Sequence, residues 1–344
     1  MWFGKAMAGL AGLALLGAGP GEAAAQAIEW RMDVSIVQAR PEAKYLGQFA
    51  DRINENARGR LKVTVFYGSS LGIGQADTLR SLKAGSVEVA QLYAGYFGRD
   101  APDLALAIVQ GVVLTPEEGR KIVAPLTEIY REYYEGWNTK VVGWVTAQVY
   151  DISVFCKQPV NSLADLKGKK LRVWSKDQVD VFTRLGVPAQ IIGQNDLYIA
   201  LQTGVVDCAL YVAAIAKTIS LQEVTKYAAY LHTYSPLPSA IGVSRRAWDK
   251  LPPDLQAVVL EAGDWVYRKA LDNILDSGDE DKARQEFTQA GAVKFLEPFP
   301  IADRKALYEA ASEVWKQSAE KVGRRAPQYY RTVSGALEKI RQGQ

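Results

Sequence analysis

Residues 168–207 read GKKLRVWSKDQVDVFTRLGVPAQIIGQNDLYIALQTGVVD, and this stretch decides the fold. Leu171-Arg172-Val173 is a short apolar strand that ends on an arginine context, and two further strand–turn–helix units follow it. Strands alternating with helical segments predict an α/β fold of mostly parallel sheets flanked by helices. A guanidinium at the end of such a strand offers two parallel donors, which suit a carboxylate better than a lysine ammonium does. Arg172 is therefore the candidate ligand anchor; a surface or interdomain salt bridge is its other possible role.

The same alternation extends outward. Trp30 to Val37 reads as a strand, and Glu42 to Arg58 carries Tyr45, Leu46, Phe49, Ile53 and Ala57 at helical spacing. Leu61 to Phe66 alternates as a second strand, Gln75 to Lys83 reads as a helix, and Val87 to Leu92 as a third strand. The glycine-rich turn Gly68 to Gly74 lacks both the Walker lysine and a GxGxxG spacing, so it reads as a connecting loop and not a phosphate cradle. Thr115 to Trp137 is helical, with Pro116, Glu117 and Glu118 in a favourable first turn. Strands at Val141 to Val145 and Ile152 to Phe155 and a short helix at Ser162 to Leu166 lead into the Arg172 strand. Pro252-Pro253 opens a long helix through Leu275, acidic Asp276 to Asp281 marks a bend, and Ala306 to Val322 is helical again. Strand-rich blocks on both sides of the long helices imply that the chain crosses between two domains more than once. The expected division is 27–148 with 237–276, and 149–236 with 277–344.

At the N-terminus, Lys5, an apolar run from Ala6 to Gly19 and Ala23-Ala24-Ala25 have the layout of a secretory signal removed near residue 26. The run is too short and too rich in Gly and Ala to span a bilayer comfortably. About 318 residues then remain, enough for two domains with ample cores. The formal net charge of +3 is small and evenly spread, which argues against nucleic acid as a partner and does nothing to repel an anionic solute. Cys156 and Cys208 are the only cysteines; an oxidising compartment permits a disulfide, and two buried thiols acting as small hydrophobes are the alternative. With His232 as the single histidine and no CxxC or HExxH spacing, neither a zinc site nor a catalytic set of nucleophile and base has support, and no cofactor or metal is expected.

Several separate motifs over nearly the whole mature chain resemble the solute-binding proteins of TRAP transporters. They are Phe49-Ala50 with Gly59-Arg60-Leu61-Lys62-Val63, Leu82-Lys83-Ala84-Gly85, Asp165-Leu166-Lys167-Gly168-Lys169-Lys170-Leu171-Arg172, and Trp248-Asp249-Lys250-Leu251-Pro252-Pro253. The resemblance implies a two-domain periplasmic binding protein with an interdomain ligand cleft. It implies no enzymatic activity, a small organic acid as ligand, and membrane permease subunits of a TRAP transporter as partner. It gives Arg172 the role of pairing with the solute carboxylate.

The sequence departs from the family pattern at positions that shape the pocket. Ile152 stands where a second arginine is often found, Tyr211 where an amide normally touches solute, and Tyr93 where other members can have a glutamate. Trp174 shares the strand face of Arg172 if the strand continues, and Tyr150 and Tyr198 add aromatic surface; for Trp174 and Tyr198 core packing is the alternative. Asp151 opposes a second carboxylate unless it caps a turn or meets a hydroxyl, and Gln194 and Asn195 are placed to offer polar contacts. His232 is one position from a residue that touches ligand in some relatives, with a satisfied structural histidine as the alternative. Lost charge and gained aromatic surface favour a monocarboxylate with an apolar or aromatic body, with a sugar acid as its main competitor. A sensor module that presents solute to a signalling receptor shares the same pocket, and a periplasmic enzyme on a similar fold is the more distant alternative.

Overall fold

Trp30, Met32 and Val34 alternate along the first strand, and all three are buried on the same face of a sheet. Residues 1–2, 27–145, 150–274 and 278–343 are described by the computed structural model. The expected signal segment and the start of the acidic bend after Leu275 fall largely outside the described residues.

Two sheets organise the chain. The first has the order β2-β1-β3-β10-β4 and is built from Ile28–Val34 (β1), Leu61–Tyr67 (β2), Val89–Leu92 (β3), Thr139–Val145 (β4) and Ser239–Ser244 (β10). The second has the order β11-β9-β5-β8-β6-β7. It comprises Asp151–Cys156 (β5), Leu171–Val173 (β6), Ala189–Ile191 (β7), Cys208–Tyr211 (β8), Tyr227–Thr233 (β9) and Lys294–Phe295 (β11). Both sheets are mixed. β1 pairs in parallel with β2 and β3, while β10 runs antiparallel to β3 and β4. In the second sheet β6 is parallel to β7 and β8, β11 is parallel to β9, and β5 is antiparallel to β8 and β9.

Every antiparallel pairing thus involves β5 or β10, each the first strand laid down after the chain crosses from one sheet to the other. The βαβ units supply the parallel pairings of β1, β2, β3, β6, β7 and β8, whereas β11 pairs in parallel with β9 after the chain has passed through the first sheet, so two domains fold from interleaved segments.

The outer face of the first sheet is closed by helices Pro41–Asn56 and Pro253–Ile274, with Leu46, Phe49, Ile53, Val259 and Val266 in the core beneath them. The second of these helices lies almost on the backbone of β4. A Cβ on Gly263 would come within 1.8 Å of the Val142 carbonyl oxygen, so only glycine permits that approach. Helix Pro116–Gly136 starts where the sequence places it: the Thr115 hydroxyl accepts from the Glu118 N–H at 3.2 Å, with Pro116 at the first helical position. Helix Ile301–Lys321 packs on Lys176–Arg184 beside the second sheet, and Ala326–Arg341 packs on Pro116–Gly136 beside the first. Trp315 Nε1 donates to the Leu106 carbonyl at 2.8 Å, so the C-terminal helices strap both halves.

Cys156 and Cys208 face each other across β5 and β8 and form a disulfide, with Cα atoms 4.2 Å apart. The covalent alternative therefore holds over the buried-thiol one. The bond closes a separation of 52 residues and staples the two central strands whose other ends carry Ile152 and Tyr211. Replacing both cysteines by alanine is expected to cost about 2–4 kcal/mol of stability. A urea titration would show it as a lower midpoint with little change in slope; an unchanged midpoint would count against this role.

Candidate functional site

Arg172 is the central residue of the three-residue strand β6, flanked in the sheet by β7 and β8, and is 1% exposed. Its Nε donates to the Ile192 carbonyl at 2.9 Å and its Nη1 to the Leu210 carbonyl at 3.3 Å. The guanidinium carbon lies 5.7 Å from the Trp174 ring centroid and 5.5 Å from that of Tyr211. Among the described residues no carboxylate pairs with it. Burial lowers its pKa from the ordinary arginine value, but an arginine remains a cation at any physiological pH. A buried, charged and unpaired guanidinium is costly, and an anion that enters to pair with it recovers that cost.

A cavity in front of Arg172 has about 80 Å³ open to the centre of a water-sized sphere. The second sheet contributes Ile152 and Tyr211, with Trp174 just past the end of β6, and the first contributes Gln91 and Ser239, with Tyr93 just past the end of β3. Tyr150 and Tyr234 line it from the crossings that join β4 to β5 and β9 to β10. The Tyr93 and Tyr234 hydroxyls share a hydrogen bond of 2.8 Å, and the Tyr93 ring lies 4.9 Å from that of Tyr96, centroid to centroid. Burial raises the pKa of Tyr93, Tyr96, Tyr150, Tyr211 and Tyr234, so these phenols are neutral.

The remaining charge in the cavity comes from a pair that the sequence does not reveal. Arg40 precedes Pro41 at the start of its helix, and its Nη2 meets Glu42 Oε1 at 2.6 Å while its Nε donates to Oε2 at 3.1 Å. Arg40 Nη1 also reaches across the cleft to Gln194 Oε1 at 2.5 Å. Burial pushes the Glu42 carboxyl up, but the charge and hydrogen bonds of Arg40 outweigh it and hold its pKa below the ordinary value. Burial likewise lowers the Arg40 pKa, and the field of Glu42 more than reverses this. The pair is thus ionised and self-neutralising. With Arg40, Glu42 and Arg172 as its charged lining, the cavity carries one net positive charge.

The structure brings Arg172, Trp174, Tyr211, Tyr93, Tyr150 and Gln194 around this cavity. Asp151, Asn195, Tyr198 and His232, also expected at the site, lie outside this lining. Tyr150 and Ile152 face the cavity, and strand alternation sends Asp151 to the other side, where Arg284 Nη2 pairs with it at 3.3 Å. Asn195 Nδ2 is spent on the Ser35 and Gly68 carbonyls and the Ser69 hydroxyl, each at 3.4 Å, and so ties the two domains together at the rim. The Tyr198 hydroxyl donates to Glu223 Oε2 at 2.8 Å. His232 Nδ1 hydrogen bonds the Thr233 carbonyl at 2.8 Å, and burial pushes its pKa down to about 4, so it is a neutral structural histidine. The cavity is also lined by Gln91, on β3 two positions before Tyr93, and period-two spacing along an extended segment is the sequence signal that points to it. Among the described residues no three His, Cys, Asp or Glu side chains are placed to hold a metal ion.

Two domains closed over a buried, unpaired cation define a ligand-capturing protein. The chain belongs to the bacterial extracellular solute-binding proteins, family 7, the DctP family of TRAP systems, whose pattern matches residues 35–322. A monocarboxylate 2-oxoacid-binding periplasmic protein of Nostoc sp. is 25% identical over 321 residues, covering 84% of this chain and 83% of that one. Among solved structures, an extracytoplasmic solute receptor of Bordetella pertussis binding pyroglutamic acid superposes with a TM-score of 0.80 at 19% identity, covering 90% of this chain and all of the other. A TRAP periplasmic solute-binding protein of Sulfitobacter sp. with bound α-D-taluronate gives a TM-score of 0.74 at 24% identity, covering 89% and 97%.

Proposed function

We propose that this protein captures one small organic monocarboxylate in the cleft between its domains and delivers it to the membrane permease of a TRAP transporter, without chemical change to the solute. The observation that carries this reading is Arg172, fully buried and without a carboxylate partner among the described residues. The single net positive charge of the cavity sets the charge of its ligand, since a second carboxylate would be desolvated against Ile152 with no cation left to meet it. Aromatic walls from Tyr93, Trp174 and Tyr211 suit an apolar, aromatic or sugar-ring body. The ligands named for the three related proteins, a 2-oxoacid, pyroglutamate and taluronate, are likewise compatible with one carboxylate per molecule.

A thermal-shift screen tests the proposal. Solute at a hundredfold excess over its Kd stabilises the bound form by about 2.7 kcal/mol, so cognate acids raise the melting temperature. Monocarboxylates, among them 2-oxo, benzoate-type and uronic acids, are expected to shift it; strongest stabilisation by succinate or malate would overturn the assignment. Export follows from the N-terminal segment, and N-terminal sequencing of the periplasmic fraction should begin near Ala27. An intact Met1 in the membrane pellet would contradict it.

A further inference from the structure

Gln91 and Gln194 face the cavity from opposite walls, and the protein fixes which end of each amide is left unpaired. The Ser239 hydroxyl donates to the Leu92 carbonyl at 3.3 Å, so toward Gln91 it acts as an acceptor, and Gln91 Nε2 donates to it at 3.2 Å. Gln91 Oε1 remains buried and without a hydrogen-bond partner. On the other wall, Arg40 has only donors to offer, so Gln194 must turn Oε1 toward it, and Gln194 Nε2 is left unpaired. Trp174 Nε1 and the hydroxyls of Tyr150 and Tyr211 are also buried without partners. Trp174 Nε1 and Gln194 Nε2 can only donate, and the phenols can do either. Among the described residues of the cavity lining, Gln91 Oε1 is therefore the one unpaired side-chain atom that can only accept.

Resting on the reading that the cavity takes a monocarboxylate, we infer that its solute also carries a hydroxyl or N–H group, and that Gln91 Oε1 accepts a hydrogen bond from it. The cognate class is then hydroxy or amido monocarboxylic acids. An acid lacking the donor leaves a buried amide oxygen stripped of water and unpaired, which selects against it. The geometry also divides the labour. Arg172 stands on β6 of the second sheet and Gln91 on β3 of the first, so a solute with both groups ties one wall to the other. Arg172 reads that the ligand is an acid, and Gln91 reads which acid.

Calorimetry on the mature protein with matched pairs tests this: lactate against propionate, 4-hydroxybenzoate against benzoate, and pyroglutamate against cyclopentanecarboxylate. In at least one pair the donor-bearing acid is expected to bind about tenfold to a hundredfold tighter. Gln91→Met, similar in length but apolar, is expected to compress that ratio to within about threefold. If the acids bind and no pair differs by more than about threefold, or if the ratio survives in Gln91→Met, the inference is overturned while the monocarboxylate reading stands. If C4-dicarboxylates bind and no monocarboxylate does, the underlying reading fails and the inference falls with it. The wild-type comparison needs no variant, so it decides the matter even if Gln91→Met folds poorly.

Discussion

Arg172→Ala is expected to abolish solute binding while leaving the solute-free protein as stable as the wild type. Loss of a buried charge-assisted contact costs about 2–5 kcal/mol, or roughly 30-fold to several-thousand-fold in affinity. The effect on stability has a different sign of argument. In the solute-free protein Arg172 is a desolvated cation whose hydrogen bonds, among the described residues, go to the Ile192 and Leu210 carbonyls. Removing it releases the cost of burying the charge and forfeits two hydrogen bonds, and these two changes oppose each other. A structural arginine would behave otherwise, since its loss would lower the unfolding midpoint. Calorimetry and a denaturant titration on the same variant separate the two roles; unchanged affinity for the cognate acid, or an unfolded variant, would show that Arg172 is not the anchor.

The second large effect concerns the Arg40–Glu42 pair. Arg40→Ala leaves the Glu42 carboxylate unpaired at the edge of the cavity and takes the net charge of the lining from one positive to zero. Truncating one member of a buried charge pair costs about 2–5 kcal/mol, much of it the penalty on the charge left behind. That cost falls on stability; solute affinity is expected to fall as well, because the uncompensated Glu42 carboxylate repels an anionic solute. The double variant Arg40→Ala with Glu42→Ala restores one net positive charge and should regain most of the lost affinity, although it still lacks the contact from Arg40 to Gln194. A double variant as weak as Arg40→Ala alone would show instead that Arg40 binds the solute directly.

Much of this was legible in the sequence because local patterns set it. The strand and helix alternation follows from side-chain periodicity, and the helix at Thr115 from a capping residue ahead of proline. Arg172 and Trp174 share a strand face by position, and the structure places them on one cavity. Strand alternation also accounts for Asp151, since a residue between two cavity-facing neighbours points away from the cavity. Asn195 lies off the lining for a different reason: adjacent residues in a tight turn diverge, and its amide meets backbone carbonyls of the other domain while Gln194 faces the cavity. Arg40 and Glu42 were out of reach. They stand more than a hundred residues from Arg172 in sequence, on a loop and a helix start, and only the closure of the two domains brings them together. The mixed pairing of the sheets was hidden likewise, because it depends on where the crossing strands insert and not on their composition.

The most direct test of the central claim is a crystal structure of the protein with its tightest-binding acid. Closed domains are expected, with one carboxylate oxygen pair within hydrogen-bond distance of the Arg172 guanidinium and the solute body between Tyr93 and Tyr211. A solute bound outside this cavity, or bound within it with its carboxylate turned away from Arg172, would contradict the account.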